Sequence, residues 1–169
     1  MIRVVVPQHT DQKDKLMEDI DETKFKVFLE IAGALNKNGI TPILFGSLGL
    51  SRIIKQSAID DIDIVLPNGI LVDDFERLEQ IMSEIGFSRD IYYKHEFIRN
   101  DERVGFEEES DITNVHISLE TLKETVIGNV QFFELSATEY LGVYMDTLVR
   151  WKKKVKSIEE KVNALKKIK

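Results

Sequence analysis

The chain has no cysteine, so disulfides, thiolate metal sites and a cysteine nucleophile are all excluded. Nor does any apolar run approach the ~20 residues that a bilayer-spanning helix needs. The opening, Met1-Ile2-Arg3-Val4-Val5-Val6-Pro7, is too short and too soon broken by proline to read as a secretory signal. The expectation is a cytoplasmic protein with no membrane partner. Only three prolines and nine glycines occur, and no linker, repeat or low-complexity segment divides the sequence. A single domain spanning 1–169 is therefore expected. P-loop, dinucleotide-fingerprint and zinc-ligand spacings are missing too.

The 169 residues are 43% hydrophobic and 31% charged, a balance that suits a globular chain with a real core. The net charge of −7 is uneven: the stretch from Arg150 to Lys169 holds nine Lys or Arg against two Glu. The remaining body is strongly acidic and does not attract nucleic acid by itself.

Hydrophobic spacing predicts a weak helix from Thr10 to Ile20 and a stronger one from about Lys24 to Lys37, stopped by Asn38-Gly39. Ile2–Val6 reads as a strand or arm. Thr41–Phe45 reads as a buried strand running into Gly46-Ser47, and Leu48–Lys55 as a short helix. Asp61–Leu66 is a second strand, and Asp73–Ile85 an amphipathic helix with Gly86 as its C-cap. Short strands follow at Tyr92–Ile98, Arg103–Glu107, Asn114–Ser118 and Val130–Phe133. Ser136-Ala137-Thr138-Glu139 has capping-box spacing, and one basic helix is expected from there to the C-terminus (136–169). Its Tyr144, Leu148, Trp151, Val155, Ile158, Val162 and Leu165 form a heptad seam, which raises the prospect of a homodimer through this helix.

The chemistry lies in Gly46-Ser47-Leu48-Gly49 and Asp61-Ile62-Asp63-Ile64. Alternate strand residues share a face, so Asp61 and Asp63 project together, about 7 Å apart. Two adjacent carboxylates suit a hard cation, Mg²⁺ or Mn²⁺, that also takes phosphate oxygens and water. Gly46 permits a sharp bend and close approach of a phosphate. Ser47 is positioned to cap the next helix, whose free amides favour an anion. Arg52, Lys55 and Arg150 are candidate phosphate contacts on charge and position.

A hydrophobic strand, Gly-Ser, a short helix and then Asp-x-Asp on the next strand resembles the nucleotidyltransferase superfamily. In that group are DNA polymerase beta, the head of CCA-adding enzymes and small antibiotic nucleotidyltransferases. The resemblance covers roughly Lys24 to Ser118. It implies an α/β (α+β) fold, with a curved mixed sheet of about four or five strands flanked by helices and a long C-terminal helix. It also implies transfer of a nucleoside monophosphate from a nucleoside triphosphate, ATP among the candidates, to an acceptor hydroxyl on a small molecule, RNA or protein. Asp61 and Asp63 would be the metal ligands, and Gly46 and Ser47 would contact the triphosphate. The family's third carboxylate falls in a hydrophobic–acid–hydrophobic strand setting, which Val115-His116-Ile117 matches with His116 in the acid's place. Glu107, Glu109 or Asp111 stand in if the register differs. With a histidine there, the alternative is a weakened or inactive module that binds nucleotide or a protein partner. Asp-x-Asp also marks haloacid-dehalogenase-type phosphatases, but there the acids end a buried strand, whereas here they open one.

Overall fold

Seven short segments, most of them carrying β-branched or aromatic residues, build one sheet in the computed structural model. The structure describes residues 10–55, 59, 61–113, 117–151 and 156–168. The strands are β1 (Ile43–Phe45), β2 (Ile62–Leu66), β3 (Ser88–Arg89), β4 (Glu96–Arg99), β5 (Glu102–Glu108), β6 (Lys123–Ile127) and β7 (Val130–Glu134). Their order across the sheet is β3-β4-β5-β2-β1-β7-β6. β1 runs antiparallel to β2 and parallel to β7, and β2 runs parallel to β5. The outer pairs β3–β4, β4–β5 and β6–β7 are antiparallel. The sheet is mixed, as expected, but has seven strands instead of four or five. β6 escapes a sequence reading because four of its five residues face solvent, so no hydrophobic alternation marks it.

Each face of the sheet carries its own core. Ile62, Ile64 and Leu66 of β2 pack with Leu44, Val104 and Phe106 under two helices, α1 (Thr10–Lys37) and α4 (Phe75–Glu84). On the other face Ile43 and Val65 pack with Tyr140 and Leu165 from α6 (Ala137–Trp151) and α7 (Lys156–Leu165). Three short helices, α2 (Gly46–Ser51), α3 (Ile70–Asp73) and α5 (Glu109–Thr113), fill the connections.

The helix ends follow local chemistry. Gly86, at φ +85°, closes α4: its amide bonds the Ser83 carbonyl at 3.0 Å and that of Phe87 bonds Met82 at 2.9 Å, a Schellman pairing. At the start of α6, Glu139 Oε2 accepts from the Ser136 amide at 2.7 Å and Ser136 Oγ from the Glu139 amide at 3.3 Å. This is the reciprocal capping box expected.

Three expectations are corrected. The two N-terminal helices are one, α1, of 28 residues. Its apolar pattern lapses near Asp21-Glu22-Thr23, but no Gly or Pro breaks it there. The Asn114–Ser118 strand is not formed as expected: Ile117 and Ser118 carry no strand, and residues 114–116 lie outside the described residues, as does the Ile2–Val6 strand. The single C-terminal helix is two. Lys161 of α7 lies over the Tyr144 ring, and Leu165 joins the buried cluster of Tyr140, so α7 runs back along α6. A heptad pattern cannot tell a straight helix from a hairpin burying the same seam internally. Val162 and Leu165 are buried within this chain, which removes the continuous seam on which a homodimer was expected. Among the described residues, no helix is long and apolar enough to cross a membrane.

Candidate active site

β1 ends at Phe45 and turns directly into α2 at Gly46, whose φ is +62°. Glycine is required there twice over: for that left-handed conformation, and because of Asp63. Phe45 pairs with Asp63 across the β1–β2 ladder, which draws the carboxylate against the bend. A Cβ on Gly46 would overlap Asp63 Oδ2 and lie 2.8 Å from its Cβ and Cγ. On the other side Asp63 pairs with Gly105 of β5, where a Cβ would stand 3.4 Å from Oδ1. The Asp63 carboxylate thus lies between two glycines, one at the start of α2 and one on β5.

Around it the charges gather. Burial first, then the charges of Asp61 and Glu96, raise the Asp63 pKa, and Lys161 opposes them. Asp61 sits just before β2 and is exposed. Glu107 lies two residues beyond Gly105, on the same face of β5. One flank of Glu107 is exposed, yet desolvation, with Asp63 and Asp111 adding repulsion, pushes its carboxyl up to about 7. From α7, the Lys161 ammonium donates to Ser47 Oγ at 3.3 Å and lies 5.2 Å from the Tyr144 ring centroid. Tyr144 is raised to about 12 by burial and by Asp63. Sheet, turn and C-terminal hairpin meet here.

The candidate residues are therefore not all together. Gly46, Ser47, Asp61, Asp63 and Glu107 share one neighbourhood. Ser47 does not cap α2, since it lies inside the helix and Phe45 holds the N-cap. Arg52 ion-pairs with Glu134 of β7 and lies over the Phe25 ring of α1 at 4.3 Å. Lys55 is exposed beyond α2. Arg150 pairs with Asp146 at 2.6 Å in the last turn of α6. His116 is outside the described residues. Glu109 and Asp111 accept the backbone amides of Asn68 and Glu108 at 3.4 and 3.0 Å. The residue missed by sequence reasoning is Lys161, one of nine basic residues in the tail, with no local motif to single it out.

Among the described residues, no three His, Cys, Asp or Glu side chains converge closely enough to hold a metal by themselves. What is present is an Asp61–Asp63 pair of hard oxygen donors, close enough for Asp61 to raise the Asp63 pKa, with the Gly46 bend against the Asp63 carboxylate. That donor set fits Mg²⁺, which typically binds one or two carboxylates together with substrate phosphates and water.

No family model matches the chain. In sequence it is 27% identical over 150 residues to the uncharacterized protein YnaI of Bacillus subtilis (strain 168), an alignment spanning 85% of this chain and 96% of that protein. Among solved structures it is similar to ANT(2'')-Ia in complex with adenylyl-2''-tobramycin, with TM-score 0.56, 15% identity, and 85% and 87% of the two chains covered. The solution structure of antibiotic-resistance factor ANT(2'')-Ia gives TM-score 0.53 at 19% identity, covering 86% and 90%. An antigenic nucleotidyltransferase-like protein from Paracoccidioides brasiliensis gives 0.59 at 12%, covering 83% and 73%. With the Gly-Ser bend and Asp-x-Asp strand on adjacent elements of a mixed sheet, this chain has the fold of the nucleotidyltransferase superfamily.

Proposed function

We propose that the protein transfers a nucleoside monophosphate from a nucleoside triphosphate to an acceptor hydroxyl. The observation that carries this reading is the Asp63 carboxylate between Gly46 and Gly105, with Glu107 on the strand paired to its own. Asp61 and Asp63 would hold a divalent cation, which when bound supplies charge neutralisation at the triphosphate. Gly46, lacking a Cβ, lets the Asp63 carboxylate stand against the bend where the triphosphate would lie. Lys161, already donating to Ser47 Oγ, supplies the cation that a phosphate needs on that side.

Glu107 takes the role that the resemblance gives to the third carboxylate. A carboxyl raised to about 7 is poised to accept a proton near neutral pH. The acceptor O–H gives its proton to Glu107, and its oxygen forms a bond to the α-phosphorus. The bond from that phosphorus to the bridging oxygen breaks, and pyrophosphate leaves. The ANT(2'')-Ia complex, with adenylyl-2''-tobramycin, supports a small hydroxylated acceptor over a macromolecule. The acidic body argues in the same direction, since it disfavours nucleic acid.

The test is titration of the protein with ATP, CTP, GTP and UTP, with and without Mg²⁺, followed by amide chemical shifts. Metal-dependent shifts centred on Gly46–Ser51 and Ile62–Leu66 are expected, and Asp61→Asn with Asp63→Asn should abolish them. Retention of metal-dependent binding by that double variant would remove the proposed role of the pair.

A further inference from the structure

The C-terminal hairpin buries one side of α6, where Tyr140 and Tyr144 pack into the second core, and leaves the other side bare. Thr138, Gly142, Met145 and Val149 step by four, three and four residues, so they share one stripe along the helix. Thr138 and Gly142 are exposed, as are Met145 at 40% and Val149 at 72%. This stripe is separate from the heptad seam that includes Tyr144.

Nothing among the described residues calls for a glycine at 142. Gly142 lies inside α6, where glycine weakens a helix relative to alanine. A Cβ there would meet nothing within 4 Å, whereas at Gly46 and Gly49 it would collide with Asp63 and Tyr140. The gap therefore faces outward.

The stripe is small at its first two positions and large at its last two. Consider an antiparallel copy whose two-fold axis passes midway between residues 142 and 145. Met145 then stands over the second copy's Gly142 and Val149 over its Thr138, and the reverse holds by symmetry. One register satisfies all four contacts, along about 16 Å of helix.

The flanks agree with that register, because like flanks meet about such an axis. On one flank the second copy's Glu139 falls between Asp146 and Arg150. Arg150 ion-pairs with its own Asp146 at 2.6 Å, and a guanidinium has donors for a second carboxylate. Arg103 is shared in the same way between Asp90 and Glu96. On the other flank half-buried Leu141 comes within two residues of level with the second copy's half-buried Leu148.

We propose that two copies of this chain associate through this face, α6 against α6 and antiparallel, with Met145 of each seated on Gly142 of the other. The order of small and large residues names the occupant, since the stripe is complementary to its own reverse, and the Glu139–Arg150 flank adds matching charge. A contact of about three turns is small for an interface, so the dimer is weak and forms at high concentration.

Sedimentation equilibrium of the full chain from about 10 µM to about 1 mM tests this. The 19.5 kDa monomer is expected at the low end, with the mass rising toward twice that value at the high end. Met145→Glu and Gly142→Gln should each weaken association at least tenfold, because two-fold symmetry places every substitution in the contact twice. Gly142→Gln raises helix propensity and should not lower the melting temperature, which separates lost pairing from lost folding. Gly142→Met combined with Met145→Ala exchanges large and small across the same contact and should associate within about threefold of the parent. A parent that stays monomeric at the highest concentration would overturn the pairing and leave the face to a different protein. A dimer indifferent to Gly142→Gln would overturn it in favour of another surface. Failure of the exchanged pair to restore association would overturn the seating of Met145 on Gly142.

Discussion

The Asp63 carboxylate fills the space where a side chain on Gly46 would begin. A Cβ there would overlap Oδ2 and sit 2.8 Å from Asp63 Cβ and Cγ, and the Gly46 φ of +62° would strain any L-residue. The bend and the acid therefore depend on each other. Gly46→Ala is expected to destabilise the protein by about 2–4 kcal/mol and to abolish Mg²⁺-dependent nucleotide binding. Gly105→Ala provides the comparison, since its Cβ meets Asp63 Oδ1 at an ordinary 3.4 Å; a cost under about 1 kcal/mol is expected. Urea melts of the two variants that moved together would refute this asymmetry.

Lys161 should matter to nucleotide binding out of proportion to its place in a basic tail. Its ammonium reaches Ser47 Oγ, and its charge favours the ionised form of Asp63. Lys161→Met is expected to weaken triphosphate affinity about tenfold, the scale of one charge-assisted hydrogen bond. Lys156→Met, on an exposed residue that pairs only loosely with Glu160 at 3.9 Å, should leave affinity unchanged. Calorimetry finding equal losses for both would reduce Lys161 to a general contribution of the tail.

What could be read from sequence was whatever is encoded locally. Gly46-Ser47, the Asp61–Asp63 alternation and the Ser136–Glu139 capping box are each fixed by residues within a few positions of one another. Contacts between distant elements were not legible. Val115-His116-Ile117 has the hydrophobic alternation of a strand, but β5 is the strand that pairs with β2, and Glu107 therefore comes beside Asp63. Nothing within reach of Glu107 in sequence announces that pairing. Lys161 was hidden for the same reason: only the fold of α7 back along α6 brings residue 161 to residue 47.

Tyr140 and Gly49 form a second close pair, and they connect the C-terminal hairpin to α2. The Tyr140 hydroxyl is buried without a hydrogen-bond partner among the described residues. A Cβ on Gly49 would overlap it and lie 3.2 Å from the Leu44 carbonyl oxygen. Gly49→Ala is expected to cost about 2 kcal/mol through overpacking. Tyr140→Phe removes an unsatisfied group and should be neutral or stabilising by about 1 kcal/mol. In the Tyr140→Phe background the Gly49→Ala penalty should fall by about 1 kcal/mol, a coupling typical of residues in contact. The remainder reflects the Leu44 carbonyl and the ring carbon Cζ, 3.3 Å from that Cβ, which phenylalanine keeps. Strict additivity in the double-mutant cycle would mean that the hydroxyl does not oppose that Cβ.

Glu107 gives the metal-free protein a pH signature whose sign follows from its raised pKa. The folded state holds the proton up to about 7, against 4.5 for an ordinary glutamate. Below pH 4.5 both folded and unfolded chains are protonated there, and Glu107 carries no penalty. Between 4.5 and 7 the folded state binds more protons, so stability from this group falls as pH rises, and above 7 the penalty is constant. Glu107→Gln removes the group. The variant should match the parent near pH 4 and exceed it at pH 8, by about 1 kcal/mol once solvent screening of the exposed flank is allowed for. That corresponds to a Tm gain of about 2–4 °C for a domain of this size. Thermal melts in EDTA at both pH values decide the matter: a gain at pH 8 that persists at pH 4 would belong to packing, and no gain at pH 8 would show that Asp63 and burial do not hold the Glu107 carboxyl neutral.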